Sequence, residues 1–220
     1  MRKIVSFTDS ANVFVVLGSV GSGKTHLVLG HSGKKLVISF DGSYSTLEGH
    51  EDEMTVVEPE ISDYVSPDKL VDEIDDLAKG CDLVVFDNIS AVETTLVNAI
   101  TDGKLGSNTD GRAAYGTVQK IFSKFANWAI HFNADTLFTL WSLTTEDGKE
   151  EPAMNMKAFN AVAGYAKLVS RTEVGFDGYS VVMNPDGRGV IKNRLADKIK
   201  KQMIKNEDYW KAISFAKGEK

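Results

Sequence analysis

The residues with the clearest chemical signature stand near the N-terminus, where 18–25 read Gly-Ser-Val-Gly-Ser-Gly-Lys-Thr. This is the G-x-x-x-x-G-K-[ST] spacing of a loop that binds phosphate groups. Glycines let the backbone curl so that successive N–H groups point inward at a phosphate chain. Lys24 then places an ammonium against the β- and γ-phosphates, and the Thr25 hydroxyl can hold a Mg²⁺ ion that bridges them. The sequence therefore predicts that ATP and Mg²⁺ bind here.

The whole loop is expected to contact the nucleotide. Its residues are Gly18, Ser19, Val20, Gly21, Ser22, Gly23, Lys24 and Thr25. The run 12–17 is apolar and fit for a buried strand, and 25–29 can open a helix. Strand, loop and helix in this order are the context that the motif requires, and the helix would add its positive dipole end to the phosphate site.

A second chemical feature is an acid at the end of an apolar run, where 82–87 read Asp-Leu-Val-Val-Phe-Asp. Taken alone this pattern is weak, because apolar runs that end in Asp are common. Downstream of a phosphate-binding loop, a carboxylate at the tip of a central strand lies beside the loop and orients Mg²⁺, usually through water. We therefore expect Thr25 and Asp87 to hold the metal, and Lys24 and Asp87 to take part in catalysis.

Strands and helices alternate along the first two thirds of the chain. Apolar runs at 35–40 and 136–141 predict buried strands, and amphipathic segments at 90–101 and 112–132 predict helices. This alternation indicates a mostly parallel α/β sheet flanked by helices, with the nucleotide at the carboxyl ends of the strands.

The last third of the chain has a different pattern. Strand candidates at 168–176 and 179–184 are joined by a short turn, and 190–191 starts a last short strand. These segments predict an antiparallel C-terminal extension of the sheet. We expect one domain over 1–198 and a basic helix or tail over 199–220.

Polar segments between these elements are expected to be loops. The segment 102–111 contains three glycines and has little to bury, so it is predicted to be mobile. The segment 144–152 is polar throughout and is also predicted to be a loop.

Composition limits the class of protein. At 220 residues, with 42% hydrophobic and 25% charged residues, the chain has the profile of one soluble domain. No apolar stretch is long enough to cross a membrane. Cys81 is the only cysteine, which excludes an internal disulfide and is typical of a reducing cytoplasm. The four histidines show no metal-ligand spacing, so a structural zinc site is not expected.

The net charge of −6 is unevenly distributed. Residues 190–220 contain nine Lys or Arg and four Asp or Glu, a balance of +5 on an otherwise acidic chain. A basic end can mark a contact with a polyanion, although a solvated helix face and a frayed tail explain it as well.

The order of these pieces resembles the RecA-type P-loop ATPase core. More narrowly, it resembles the Sak group of phage RecA-like ATPases, which are associated with single-strand annealing proteins. Three stretches carry the resemblance, which covers roughly 12–198: the loop at 18–25, the strand with its acid at 81–92, and 189–198, Gly-Val-Ile-Lys-Asn-Arg-Leu-Ala-Asp-Lys. The resemblance implies an ATP-hydrolysing, RecA-like fold that acts on single-stranded DNA in recombination or replication, in the cytoplasm of a bacterial host.

The same resemblance implies how subunits cooperate. In the family, the late β-strand segment sends cations to the nucleotide of a neighbouring subunit, which makes Lys192 and Arg194 the candidate trans-acting residues. Alternate residues of a strand point the same way, so both could reach one γ-phosphate. The partners implied are single-stranded DNA, further copies of this chain in a ring or filament, and a single-strand binding protein.

The chain departs from the family at the water-activating group. Where the family carries a glutamate two residues after Asp41, this chain has Ser43, and a serine cannot act as a base at neutral pH. Glu48 in the next loop is a possible substitute, and Ser142 or Thr144 is a weak candidate for the γ-phosphate sensor. We therefore expect slow or partner-dependent turnover.

DNA contacts in such folds come from two loops, which correspond here to 102–112 and 144–159. The candidate DNA-binding residues are Lys104, Arg112, Lys149 and Lys157, with Phe159 as a stacking ring. Acids in the second loop oppose tight phosphate contact there, and the basic C-terminal segment could help instead.

Two other functions remain open from the sequence. A small-molecule or nucleotide kinase also uses a phosphate-binding loop, but such enzymes generally need an arginine-rich lid, and the five arginines here are not clustered. A non-hydrolysing, nucleotide-gated assembly factor is favoured by the missing glutamate.

Overall fold

Apolar runs of the sequence lie side by side as the strands of one large sheet. The computed structural model describes residues 12–105 and 110–218. The strands are β1 (Asn12–Gly18), β2 (Lys35–Ser39), β3 (Met54–Val57), β4 (Leu83–Asp87), β5 (Asp135–Thr144), β6 (Glu150–Pro152), β7 (Leu168–Gly175), β8 (Gly178–Val182), β9 (Lys192–Asn193) and β10 (Met203–Lys205).

Five α-helices connect or cover these strands in the described part of the chain. They are α1 (Pro67–Leu77), α2 (Ile89–Thr101), α3 (Gly111–Ala129), α4 (Met156–Ala163) and α5 (Tyr209–Lys217). None of the described helices combines the length and apolar character needed to span a bilayer.

The sheet is mostly parallel, as predicted. Its order is β10-β8-β7-β1-β5-β4-β2-β3, and the six strands from β7 to β3 all run parallel. β8 and β10 continue the sheet as antiparallel strands, while β6 pairs with β5 and β9 with β7. The predicted antiparallel C-terminal extension is therefore confirmed. Since β5 lies between β1 and β4, the ends of these three strands meet at one edge.

Two hydrophobic cores lie on the two faces of the sheet, because successive strand residues point to opposite sides. On one face Val13, Val15 and Leu17 of β1 pack with α1 to α4. On the other face Phe14 and Val16 pack with the turn after β1 and with α5.

The C-terminal segment is built into the second core. Tyr209, Trp210 and Ile213 of α5 are buried, and the indole Nε1 of Trp210 donates to the Leu27 carbonyl at 2.8 Å. Lys217 at the end of α5 pairs with the buried Asp135 at 2.9 Å. The segment after 198 contains the expected helix, and the division of the chain at this residue stays a prediction.

The segment after the phosphate-binding loop is shorter and tighter than predicted. Thr25–Gly30 is a six-residue 3₁₀ helix, where the sequence suggested the opening of a longer helix. Gly30 has little helix propensity, and Gly33 at φ +89° turns the chain toward β2. A 3₁₀ helix of about two turns has a small macrodipole, so the loop's own N–H groups must supply most of the expected positive end.

The predicted loop at 144–152 is instead a β-hairpin, because β5 runs to Thr144 and β6 pairs with it. Asp147-Gly148 makes the turn, with Gly148 at φ +77°, and an Asp-Gly pair is a strong hairpin signal. The helix α4 that follows was not predicted. Asn155 caps it by accepting from the Lys157 N–H at 2.9 Å.

Smaller differences lie near the C-terminus and in the predicted mobile loop. The last predicted strand at 190–191 is found two residues later as β9, and β10 was not predicted. Within the predicted mobile loop, 106–109 lie outside the described residues.

Replacing Trp210 by Ala tests whether α5 supports the fold. We expect Trp210→Ala to lower the unfolding free energy by about 3–5 kcal/mol, because it removes a buried aromatic side chain and its hydrogen bond. The matched control is Phe215→Ala on the same helix, where the ring is 74% exposed and the expected change is within about 0.5 kcal/mol. Urea unfolding measures both, and equal effects would contradict the packing described.

Candidate functional site

The loop at 18–25 leaves the end of β1 and is shaped by its glycines. Gly21 and Gly23 have φ of +75° and +87°, a region that other residues rarely adopt. A Cβ at Gly18 would lie 2.0 Å from Oγ1 of Thr172 on the neighbouring strand β7. The loop is also held by Ser22, whose Oγ lies 2.6 Å from Thr172 Oγ1. The backbone thus has the curled form predicted from the motif.

The Lys24 side chain turns back into the loop. Its Nζ donates to the carbonyls of Gly18 and Ser19, each at 2.8 Å. Burial lowers the pKa of Lys24, and the nearby carboxylates of Asp87 and Asp41 oppose this shift. The ammonium therefore lies inside the loop, where a bound phosphate would compete with the two carbonyls for its protons.

Asp87 sits at the end of β4 and accepts hydroxyl hydrogen bonds from three other segments. Thr25 Oγ1 donates to Oδ2 at 2.7 Å, and Ser43 Oγ donates to the same oxygen at 3.2 Å. Thr139 of β5 donates to Oδ1. The structure therefore brings Thr25 and Asp87 together, as the sequence predicted.

The Asp87 carboxylate is only 1% exposed, and this burial has an electrostatic consequence. Desolvation raises the pKa of Asp87, and Asp41 adds to the shift, while the hydroxyls of Thr139, Thr25 and Ser43 lower it. A cation beside this carboxylate would replace the missing solvation. The site is thus prepared for positive charge.

The oxygen ligands present at this site fit Mg²⁺. A carboxylate and a hydroxyl 2.7 Å apart are hard donors, which this ion prefers. Among the described residues no cluster of three or more His, Cys, Asp or Glu could hold a metal ion. Mg²⁺ would therefore be held by Thr25 and Asp87 together with substrate phosphates and water, which is its usual mode of binding.

Ser43 supports the acid Asp87 through a hydrogen bond. It opens the 3₁₀ helix Ser43–Leu47, its N–H donates to Asp41 Oδ1 at 3.0 Å, and its Oγ donates to Asp87. Glu48 is exposed at the end of this helix. No described contact brings Glu48 to Asp87, so its role as a substitute base stays a prediction.

On β5 the residue that reaches the site is Thr139, which sequence reasoning missed. The signal was a hydroxyl inside an apolar strand, between Phe138 and Leu140. Ser142 is buried further along the strand, and Thr144 donates to Glu150 Oε1 of β6 at 2.7 Å. Neither Ser142 nor Thr144, the proposed γ-phosphate sensors, has a described hydrogen bond to Asp87.

A cavity of about 400 Å³ lies beside the loop, lined in part by His26, Tyr179 and Asn206. Asn206 Nδ2 donates to the Gly23 carbonyl at 3.0 Å. A Cβ at Gly23 would lie 3.0 Å from the Tyr179 ring, so this ring packs directly against the loop. Sequence reasoning missed Tyr179 and Asn206 because they come from segments distant from the loop in sequence.

Lys192 and Arg194 lie away from the loop of their own chain. β9 pairs with β7 at Leu168 and Val169, which pair in turn with Phe14 and Val15 of β1, before the loop. Lys192 Nζ donates to the carbonyl of Gly164 at 2.8 Å, just beyond α4, and Arg194 Nη2 donates to the same oxygen at 3.1 Å. The two side chains thus reach one point, and their role in a neighbouring subunit stays a prediction.

The predicted DNA-binding cations lie at the surface. Lys104 pairs with Asp102 at 3.3 Å and Lys149 pairs with Asp147 at 2.5 Å. The other two, Arg112 and Lys157, are exposed in the first turns of α3 and α4. The structure places these cations in the two predicted segments, and DNA contact by them stays a prediction.

Phe159 was predicted as a stacking ring, and this prediction is wrong. The side chain is 1% exposed, because it lies on the inner face of α4 and packs in the first hydrophobic core. The helical spacing of Phe159 and Val162 was the signal for core packing.

Comparison with known proteins identifies the family of the chain. The chain matches the family model described as an AAA domain over residues 10–205. Among solved structures it is similar to the KaiC-like protein of the hyperthermophilic archaeon Pyrococcus horikoshii OT3, at 12% identity and a TM-score of 0.48, with 83% of each chain covered. No curated protein matches the chain.

A mostly parallel sheet with a phosphate-binding loop after β1 and an acid at the end of β4 defines a RecA-like P-loop NTPase fold. The chain belongs to the AAA domain family, whose model spans most of it.

Replacing Asp87 by Asn distinguishes the effect of the carboxylate on stability from its effect on Mg²⁺ binding. Because burial raises the pKa of Asp87, the folded state favours the protonated form. The stability gained by protonating Asp87 is therefore complete below the ordinary Asp pKa of about 3.9, and it is lost as the pH rises through the raised pKa of Asp87 in the folded state. An amide does not ionise, so Asp87→Asn should raise the melting temperature near pH 7 by about 2–4 °C per kcal/mol of relieved burial.

Thermal melts check this expectation with and without ATP and Mg²⁺. The variant should lose the Mg²⁺-dependent part of the stabilisation by ATP, and its advantage over the natural chain should vanish in acid. The exposed Asp72 of α1 provides the control, since Asp72→Asn should change neither quantity. A lower melting temperature for Asp87→Asn at neutral pH would contradict the stated cause of the pKa shift.

Proposed function

We propose that this protein binds ATP·Mg²⁺ at 18–25 and Asp87 and hydrolyses it slowly or with the help of a partner. The observation that carries the proposal is the convergence of Lys24, Thr25 and Asp87 at one edge of the sheet, with Thr25 Oγ1 2.7 Å from the carboxylate. Membership in the AAA domain family supports it.

In this proposal each residue has a physical task. The loop N–H groups bind the phosphates, and Lys24 redirects its hydrogen bonds from the two loop carbonyls to phosphate oxygens. Mg²⁺, when bound, neutralises charge that develops on the phosphates. Asp87 and Thr25 orient that ion, and the hydroxyls of Ser43 and Thr139 keep the carboxylate in position. The cavity beside Tyr179 leaves space for the nucleoside.

Slow turnover is expected because no described contact at this site provides a carboxylate base to activate the attacking water. The Ser43 hydroxyl donates a hydrogen bond to Asp87, and a serine cannot activate a water as a base at neutral pH. The same observation supports a second candidate function, a nucleotide-gated assembly factor that binds ATP without hydrolysing it. Phosphate release, measured with and without single-stranded DNA, distinguishes the two.

We further propose that the protein works as an oligomer on single-stranded DNA, in recombination or replication, as a phage protein of the Sak group in the cytoplasm of its host. Lys192 and Arg194 would reach the γ-phosphate of a neighbouring subunit. Support comes from their position far from their own loop and from the exposed cations at 102–112 and 144–157.

Removing the loop ammonium tests the nucleotide site directly. Lys24→Ala should lower the affinity for ATP·Mg²⁺ by about 100-fold or more, because charge-assisted hydrogen bonds to phosphate are lost. Titration calorimetry measures the affinity. Val20→Ala is the matched control, since it truncates an 83% exposed side chain in the same loop but keeps the backbone N–H that would contact phosphate, so the affinity should be unchanged. Equal affinity of Lys24→Ala and the natural chain would refute the site.

Mixing two inactive variants tests the trans-acting cations. Lys24→Ala and the double variant Lys192→Ala/Arg194→Ala should each lose about 10-fold or more in phosphate release, since such cations contribute on the order of 10³ in kcat or more. In a mixed oligomer, an intact loop from one variant meets intact cations from the other. Activity should therefore rise on mixing.

The control for this experiment is each variant alone at the same total concentration. Activity of the mixture no higher than the average of the two variants would show that Lys192 and Arg194 act only within their own subunit, where they bind the carbonyls after α4.

A further inference from the structure

A basic groove of about 650 Å³ lies between β10 and α5, at the edge of the sheet. Five of its lining residues are lysines, and Asp208 is the only acid among them. This face gathers much of the positive charge of the C-terminal segment. The groove is separate from the two loops discussed above, and the expectations for Lys104, Arg112, Lys149 and Lys157 do not involve it.

Three of these lysines have side-chain ammonium groups that a ligand could contact. Lys200, Lys201 and Lys205 are exposed, and none forms an ion pair with another described residue. Lys211 pairs with Asp208 at 3.3 Å, and Lys198 donates to the Ala216 carbonyl. By comparison, two of the cations predicted to bind DNA, at positions 104 and 149, are already paired with aspartates. Free ammonium groups are the ones that can replace counterions on a phosphate backbone.

Two exposed apolar side chains lie among these lysines in the groove. Phe215 of α5 is 74% exposed and Met203 of β10 is 50% exposed, and both line the groove. A polyanion bound by charge alone needs no exposed aromatic ring. Lysines beside an exposed ring are the combination that binds single-stranded nucleic acid, because unpaired bases stack on the ring while cations follow the backbone.

The position of the groove connects it to the nucleotide site. Lys205 lines the groove, and the next residue, Asn206, donates to the Gly23 carbonyl of the phosphate-binding loop. The groove and the phosphate-binding loop are therefore linked through two consecutive residues of the chain.

We propose that this groove is a binding site for single-stranded nucleic acid. Lys200, Lys201 and Lys205 contact the phosphates, and Phe215 stacks on a base. The site extends the proposed function but does not depend on ATP hydrolysis.

Charge reversal in the full-length chain tests the proposal. Fluorescence anisotropy with labelled oligo-dT at low salt should show that Lys200→Glu/Lys201→Glu weakens binding about 10-fold or more. The slope of log K against log salt should fall by about 1.4, since each phosphate contact on a single strand contributes ~0.7. The control is Lys69→Glu/Lys120→Glu, which makes the same charge change at exposed positions of α1 and α3.

A second variant tests the stacking ring. Phe215→Ala should weaken oligo-dT binding with the salt slope unchanged, and Phe215→Trp should restore the affinity, because base stacking contributes ~1–3 kcal/mol per base and does not release counterions. Equal weakening by both charge-reversed pairs would mean that only net charge matters, and it would overturn the proposal. Equal affinity of the natural chain for a duplex of the same length, or no binding of oligo-dT at all, would also overturn it.

Calorimetry with ATP·Mg²⁺ on the same variants separates this proposal from the proposed function. Retained ATP affinity together with lost oligo-dT binding supports the groove. Retained ATP affinity with unchanged oligo-dT binding rejects the groove and leaves the ATPase proposal standing.

Discussion

A buried carboxylate that is held by hydroxyl groups from three separate segments is the constraint on which this structure depends. Asp87 lies at the end of a central strand with almost no exposure, and the hydroxyls of Thr25, Ser43 and Thr139 point their protons at it. Hydroxyls can rotate, so they can satisfy the carboxylate and also yield to a metal ion. Because these three residues come from separate segments, the acid also fixes the relative positions of β1, β2, β4 and β5 at their carboxyl ends.

The support for this edge comes from the other face of the sheet. The segment after the phosphate-binding loop is a 3₁₀ helix of about two turns, which has little stability of its own. Trp210 binds its Leu27 carbonyl and Asn206 binds the Gly23 carbonyl, so the C-terminal segment holds the loop from behind. The end of the chain thus takes over a supporting role that a longer helix would have filled.

Much of the site could be predicted from the sequence, because its signals are local. The spacing of 18–25 and the apolar run before Asp87 each state their chemistry within a few residues, and alternation of strands and helices then places both at one edge. Thr139 and Asn206 could not be found in this way, since their roles depend on which strands become neighbours. Phe159 was misjudged because the helix that buries it was not recognised.

The most direct test of the central claim is a crystal structure of the chain with a non-hydrolysable ATP analogue and Mg²⁺. The account predicts phosphates inside the loop at 18–25, with Lys24 Nζ moved from the Gly18 and Ser19 carbonyls to phosphate oxygens and Mg²⁺ beside Thr25 and Asp87. Phosphates bound elsewhere, with Lys24 still on the loop carbonyls and Asp87 far from the metal, would contradict it.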